Sequence, residues 1–148
     1  RDGANVTITS RKPEQGDKAR QFISARFNVA VEATTMSDPA KVAEVLDGVE
    51  VLLNSGPAGV QMVSKAAWSA QKSLKIAVDL NAAPPLGIEG VDVDDAGTVR
   101  DGVICFGAFG VGNLKTKLHK RCVGRLFERN DLVLDAEAIA DIAREMVK

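Results

Sequence analysis

The residues best suited to chemistry lie where short apolar runs give way to turns. Ser10-Arg11-Lys12 is the first such place, directly after the β-branched run Val6-Thr7-Ile8-Thr9. Pro13 comes next and suits the first turn of a helix, where its missing N–H has no helical partner. Two cations at a helix start oppose the positive end of its dipole, at about 0.3 to 1 kcal/mol each, unless an anion is held there. In a dinucleotide-binding sheet the end of the second strand faces the adenine ribose. An acidic residue at that point selects NAD, whereas a hydroxyl with two cations would hold the 2′-phosphate of NADP. A solvated turn with two surface cations accounts for Ser10, Arg11 and Lys12 equally well.

Asn54-Ser55-Gly56-Pro57-Ala58-Gly59 ends another apolar run, and its small side chains would let the backbone approach a flat cofactor. It also reads, more simply, as a tight strand-to-helix turn. Asp79-Leu80-Asn81-Ala82-Ala83-Pro84-Pro85-Leu86-Gly87 sets polar groups at a strand end before a Pro-Pro corner, a rigid loop able to face nicotinamide or substrate. The alternative is that Asp79 and Asn81 satisfy backbone groups of their own loop. Gly107-Ala108-Phe109-Gly110-Val111-Gly112 runs into a helix start, but it lacks the GxGxxG spacing and follows a late strand, so it is a weak phosphate loop. Lys115, Lys117, His119 and Lys120 beyond it read first as a solvated helix face.

Holding these stretches in place requires strands alternating with helices. Strands are expected at residues 6–9, 29–33, 49–53, 74–78 and 103–106. Between the first two, a helix over residues 14–27 carries Ala19, Phe22, Ile23 and Arg26 or Phe27 on one face. Ser37 and Asp38 offer capping oxygens to a helix bearing Val42, Val45 and Leu46, which Gly48 stops. After Gly59 a helix turns Val60, Val63, Ala66 and Ala67 inward, with Trp68 near its end. Residues 80–101 form an irregular connection. A later helix, with Asn113 as a possible cap, has the stripe Val111, Leu114, Leu118, Cys122 and Leu126. Asp135 caps the last helix, with Ile139, Ile142, Ala143 and Met146 inward and Arg144 and Lys148 toward the negative end of its dipole. The whole is an α/β domain with a mostly parallel sheet, and such sheets bind ligands at the carboxyl ends of their strands.

With 148 residues, 45% of them apolar and 26% charged, the chain suits one packed domain. Lys and Arg number 19 against 20 Asp and Glu, so no broad positive field exists to hold a nucleic-acid backbone. No apolar run approaches the roughly 20 residues that cross a bilayer, and no signal-peptide pattern opens the sequence, which points to the cytoplasm. Cys105, Cys122 and the single histidine, His119, make no zinc or iron-sulfur ligand set. Buried free thiols and no metal are expected.

Ser10-Arg11-Lys12, the 79–87 loop and the 107–119 stretch, followed by Arg121-Cys122 and Leu126-Phe127-Glu128, together resemble the NADP-dependent methylene-tetrahydromethanopterin dehydrogenases. The resemblance runs from about residue 1 to the C-terminus and rests most on Asn-Ala-Ala-Pro-Pro-Leu-Gly-Ile and Lys-Thr-Lys-Leu-His. It implies reversible hydride transfer between the methylene group of a tetrahydropterin carrier and NADP, with methylene-tetrahydrofolate accepted by some relatives. It further implies a cleft between an N-terminal substrate lobe and a Rossmann-like, doubly wound parallel sheet, in a protein expected to be a homo-oligomer. By resemblance Ser10, Arg11 and Lys12 bind the 2′-phosphate, Ala58 and Gly59 bring backbone to the cofactor, Asn81 is a polar group of the cofactor cleft, and Lys115 reaches substrate.

In that family a strand, a glycine-rich pyrophosphate turn and a helix precede the part matching Arg1. The chain is therefore expected to be an N-terminally incomplete NADP-binding domain. In the order 3-2-1-4-5-6 the first strand is central, so its loss should split the sheet and leave a chain that folds and binds NADP poorly alone. A shikimate- or folate-type NADP dehydrogenase, or a dinucleotide-binding module without catalysis, would share much of this pattern.

Overall fold

Strands and helices alternate as the apolar patterning requires. The structure, a computed structural model, describes residues 3–36 and 39–147. Strand β1 (Thr7–Ser10) leads into helix α1 (Pro13–Phe27), with Pro13 in its first turn and Asn28 ending it in the left-handed region at φ 51°. β2 (Glu32–Thr35) lies parallel to β1, Thr7 opposite Glu32 and Ser10 opposite Thr35. This strand starts later than expected, since the N–H of Glu32 is the first to bond back, to the Val6 carbonyl. A 3-10 turn at Pro39–Lys41 runs into the short α2 (Val42–Val45), and Gly48 at φ 74° turns the chain out of it. The expected caps Ser37 and Asp38 lie outside the described residues, as does Lys148.

β3 (Val51–Asn54) pairs in parallel with β4 (Ile76–Asp79), across α3 (Lys65–Ser69). β5 (Ala96–Arg100) and β6 (Val103–Phe106) form an antiparallel hairpin, and β6 runs parallel to β4. α4 (Gly112–Leu126) and α5 (Ala136–Met146) complete the chain, packed on each other. The strands make a two-stranded sheet, β1-β2, and a four-stranded sheet, β3-β4-β6-β5. The fold is α/β, Rossmann-like, with mostly parallel pairing. Among the described residues no strand pairing joins the two sheets.

One face of the larger sheet holds the core. Ala77 of β4 and Val103 and Cys105 of β6 alternate inward beneath Val42, Leu46, Val63 and Trp68. Trp68 is fully buried, and its indole N–H donates to the Glu89 carbonyl at 2.8 Å. On the other face Val51 and Leu53 are 56% and 60% exposed.

Several sequence expectations change. The helix after Gly59 shrinks to α3, because the Met62 and Val63 N–H groups donate to the Gly87 carbonyl and Ser64 caps only from there. Ala66 is exposed rather than inward. The connection over 80–101 contains β5, closed onto β6 by Asp101 and Gly102 at φ 48° and 82°. Asn113 does not cap α4, whose N-cap position is Val111 and carries no side-chain bond. On α4 Cys122 is buried but Leu114 and Leu126 are exposed, and on α1 Phe22 is 65% exposed. Asp135 caps α5 as expected, accepting from the Glu137 and Ala138 N–H groups.

Candidate functional site

The chemically interesting residues sit at the carboxyl ends of the parallel strands, and the larger sheet brings the loops after β3, β4 and β6 to one edge. At the end of β1, the Ser10 hydroxyl donates to the Lys12 carbonyl at 2.6 Å. α1 comes close here: a Cβ on Gly16 would lie 2.9 Å from the Ser10 oxygen. Arg11 and Lys12 are exposed, and among the described residues neither has an ion-pair partner. Lys12 takes the N-cap position of α1 in an extended conformation with no side-chain cap, so the helix N-terminus remains open to an anion.

At the ends of β3 and β4 two loops are tied together. The Asp79 carboxylate accepts from Asn54 Nδ2 at 2.7 Å, the Asn81 N–H at 3.0 Å and the Ile88 N–H at 2.7 Å. Asn54 Oδ1 accepts from the Gly56 N–H at 3.1 Å. Asn81 donates from Nδ2 to the Pro57 carbonyl at 3.3 Å and accepts from the Ala83 N–H at 3.0 Å. Asp79 and Asn81 thus satisfy loop backbone, as the simpler of the two sequence readings has it. The exposed Ala58 and the half-buried Gly59 follow, with Gly59 at φ 72° and its Cβ position 3.6 Å from the Pro84 carbonyl. Ala58, Gly59 and Asn81 are therefore brought together.

Two of the glycines at 107–112, Gly107 and Gly110, have a structural cause. A Cβ on Gly107 would lie 1.9 Å from the Asp92 carbonyl oxygen, and one on Gly110 would lie 1.7 Å from that of Asp95. The backbone of the 92–96 loop lies against them, and the Gly107 and Phe109 N–H groups donate to Asp95 and Val93. Asp95 anchors that loop, accepting from Arg100 at 2.6 and 2.7 Å and from the Asp92 N–H at 2.8 Å. The Arg100 guanidinium holds the Asp95 carboxyl below its ordinary range. Sequence patterning gave no warning of this pair.

Beyond the glycines, Lys115 stands in the first turn of α4 and lines an open cavity of about 910 Å³. Leu80 and Ala82 from the β4 loop, Phe109, and His119 one helical turn on from Lys115 share its walls. Apolar walls with a few polar groups suit a flat organic ligand. Phe109 and His119 fall within the 107–119 stretch that the sequence offers as a candidate, where His119 reads as part of a solvated helix face and Phe109 has no role assigned. Ser10, Arg11 and Lys12 belong to the smaller sheet and do not line this cavity.

Cys105 and Cys122 are free and buried, and burial pushes the Cys105 thiol up, away from reactivity. Among the described residues no His, Cys, Asp or Glu cluster could hold a metal, and no helix is long and apolar enough to cross a membrane.

No family model matches the chain. It is 40% identical over 145 residues to the bifunctional protein MdtA of Methylorubrum extorquens, covering 98% of this chain and 50% of that protein. It is 31% identical over 149 residues to the NAD(P)-dependent methylenetetrahydromethanopterin dehydrogenase of the same organism, again covering 98% of this chain and 50% of the relative. The chain spans about half the length of the curated relatives it matches.

Proposed function

We propose, for a chain related along nearly all its length to methylenetetrahydromethanopterin dehydrogenase, that its parent protein transfers a hydride between a tetrahydropterin-bound methylene group and NADP. The observation that carries this reading is the cavity joining Lys115 to the loop after β4, at the strand ends where doubly wound sheets bind cofactor and substrate.

The chain's residues fit NADP. Arg11 and Lys12, without ion-pair partners among the described residues and at an open helix N-terminus, form a donor set for a 2′-phosphate, which Ser10 joins by turning its hydroxyl from the Lys12 carbonyl. Ala58, Gly59 and the wall built by Asn81 offer a close backbone approach for the rest of the dinucleotide. When bound, NADP supplies the hydride acceptor, and the protein supplies orientation. Positive charge develops on the pterin as hydride leaves, so a bare ammonium beside the reacting carbon would oppose the step. Lys115 therefore works either neutral or bonded to a pterin oxygen, fixing the substrate in the cavity. No protein acid or base is required for hydride transfer itself.

We also propose that the parent protein supplies a parallel strand and a glycine-rich turn between β1 and β3, which would hold the pyrophosphate. Among the described residues β1 pairs only with β2 and β3 only with β4, so each keeps an unpaired edge that such a strand would fill.

The test uses the full-length protein with methylene-tetrahydromethanopterin and NADP. Lys115→Ala should abolish turnover, while Arg11→Ala should raise the NADP KM by about tenfold or more, with less effect on NAD. Unchanged kinetics in both variants would sink the site. Turnover with shikimate or methylene-tetrahydrofolate, and none with the methanopterin substrate, would move the protein to a sister activity.

A further inference from the structure

We infer that Asp79, Asn54 and Gly87 form a latch that positions the 54–59 and 80–88 loops as a single wall against bound dinucleotide. This rests on the reading of that wall as the cofactor's. Asp79 is almost fully buried, and the partners of its carboxylate are neutral N–H groups. A buried charge held in this way contributes little net stability compared with an apolar core, but it fixes geometry strictly. Here one carboxylate suspends both loops. Through Asn54 it reaches the Gly56 N–H of the first, and through the Asn81 and Ile88 N–H groups it holds both ends of the second. Asn81 closes the circuit by donating across to the Pro57 carbonyl.

Gly87 completes the latch by leaving room for it. Its backbone is not in the left-handed region, so conformation does not call for glycine there. Space does: a Cβ at Gly87 would lie 1.7 Å from Asn54 Nδ2 and 2.8 Å from Asn54 Cγ, against 3.0 Å from the nearest Asp79 oxygen. Gly87→Ala should evict the Asn54 side chain from Asp79. Asn54→Ala removes the atoms that clash most, so the double variant Asn54→Ala/Gly87→Ala should regain room without regaining the latch.

The experiment compares the three variants in the full-length protein by thermal melting, by steady-state kinetics and by amide hydrogen exchange. Gly87→Ala should melt well below wild type, and the double variant should recover most of that loss. The KM for NADP should nevertheless stay raised by about tenfold in Asn54→Ala, Gly87→Ala and the double variant, because binding must then order two loose loops. kcat should change far less. A merely structural role predicts that KM returns to wild type as melting does; that result overturns the latch, as does an unchanged KM in Asn54→Ala. If wild type shows no turnover with NADP and a tetrahydropterin, the reading of the wall falls separately. Exchange then decides the latch: Asn54→Ala should deprotect the Gly56 and Ala83 amides together, and deprotection of Gly56 alone overturns it.

Discussion

The two sheets carry the candidate site in different ways. The four-stranded sheet rests on a core that buries Trp68, Val63, Ile88 and Cys105, and it builds its loops from buried polar bonds around Asp79 and Asp95. The two-stranded sheet packs against α1, within which Gly16 is the buried residue. Its candidate residues, Arg11 and Lys12, are exposed cations on a turn. On the proposed reading, one region is a wall that shapes a ligand, and the other is a charged grip on a scaffold that lacks depth. Shape selection tolerates no looseness, whereas a flexible cation reaches a phosphate from a range of positions.

The comparison breaks first at Trp68 and Phe22. Trp68→Ala removes a fully buried ring and its bond to Glu89, and should destabilise by about 3 to 5 kcal/mol in denaturant unfolding. Phe22→Ala, at a ring 65% exposed, should stay within about 0.5 kcal/mol for this chain alone. If Phe22→Ala costs more than about 2 kcal/mol in the proposed longer protein, the smaller sheet acquires its depth there, and the contrast belongs to this chain taken alone.

The same contrast explains what could be read from the sequence. Local signals carried Pro13 at the start of α1, Asp135 at the start of α5 and the strand Val103–Phe106, since each depends on residues within a turn or on simple apolar runs. Residues 60–63 have helical spacing, yet the Met62 and Val63 N–H groups are taken by Gly87, a partner that no local pattern reveals. β5 was hidden because Ala96-Gly97-Thr98 lacks apolar alternation, although Asp101-Gly102 is a hairpin signal. The candidate site divides likewise. Ser10, Arg11 and Lys12 are legible as types at a strand end and Lys115 only through the family resemblance, while the bonds from Asp79 to Asn54 exist only once β3 and β4 pair.

Acid sharpens the comparison next. The Asp95 carboxyl is held below its ordinary range, first by its Arg100 hydrogen bond, so the unfolded chain binds this proton more readily than the folded one. Its contribution is complete above the ordinary carboxyl value of 3.8 and is lost as pH falls through the lower folded value. Asp95→Asn should destabilise the larger sheet by about 2 kcal/mol at neutral pH. It should also flatten the fall in stability below pH about 4, measured as denaturation midpoint against pH. An unchanged acid limb would mean that the Asp95 and Arg100 pair does not anchor the 92–96 loop.

The smallest effect concerns what joins the two regions. α5 packs on α4, while Arg26 of α1 reaches across to Asp135 at 3.0 Å and to Glu137 at 2.7 Å. Asp135 has two tasks, capping α5 and pairing with Arg26, and both draw its carboxyl below the ordinary range, the Ala138 N–H bond most. These groups are solvent-exposed, where an ion pair contributes little and a cap contributes more. Asp135→Asn keeps a capping oxygen and loses the charge, so its melting temperature should stay near wild type. Asp135→Ala loses both and should melt a few degrees lower. Equal losses in the two variants would show that the charge bridge, rather than the cap, ties the grip to the wall, and the regions would then be coupled more tightly than their separate sheets suggest.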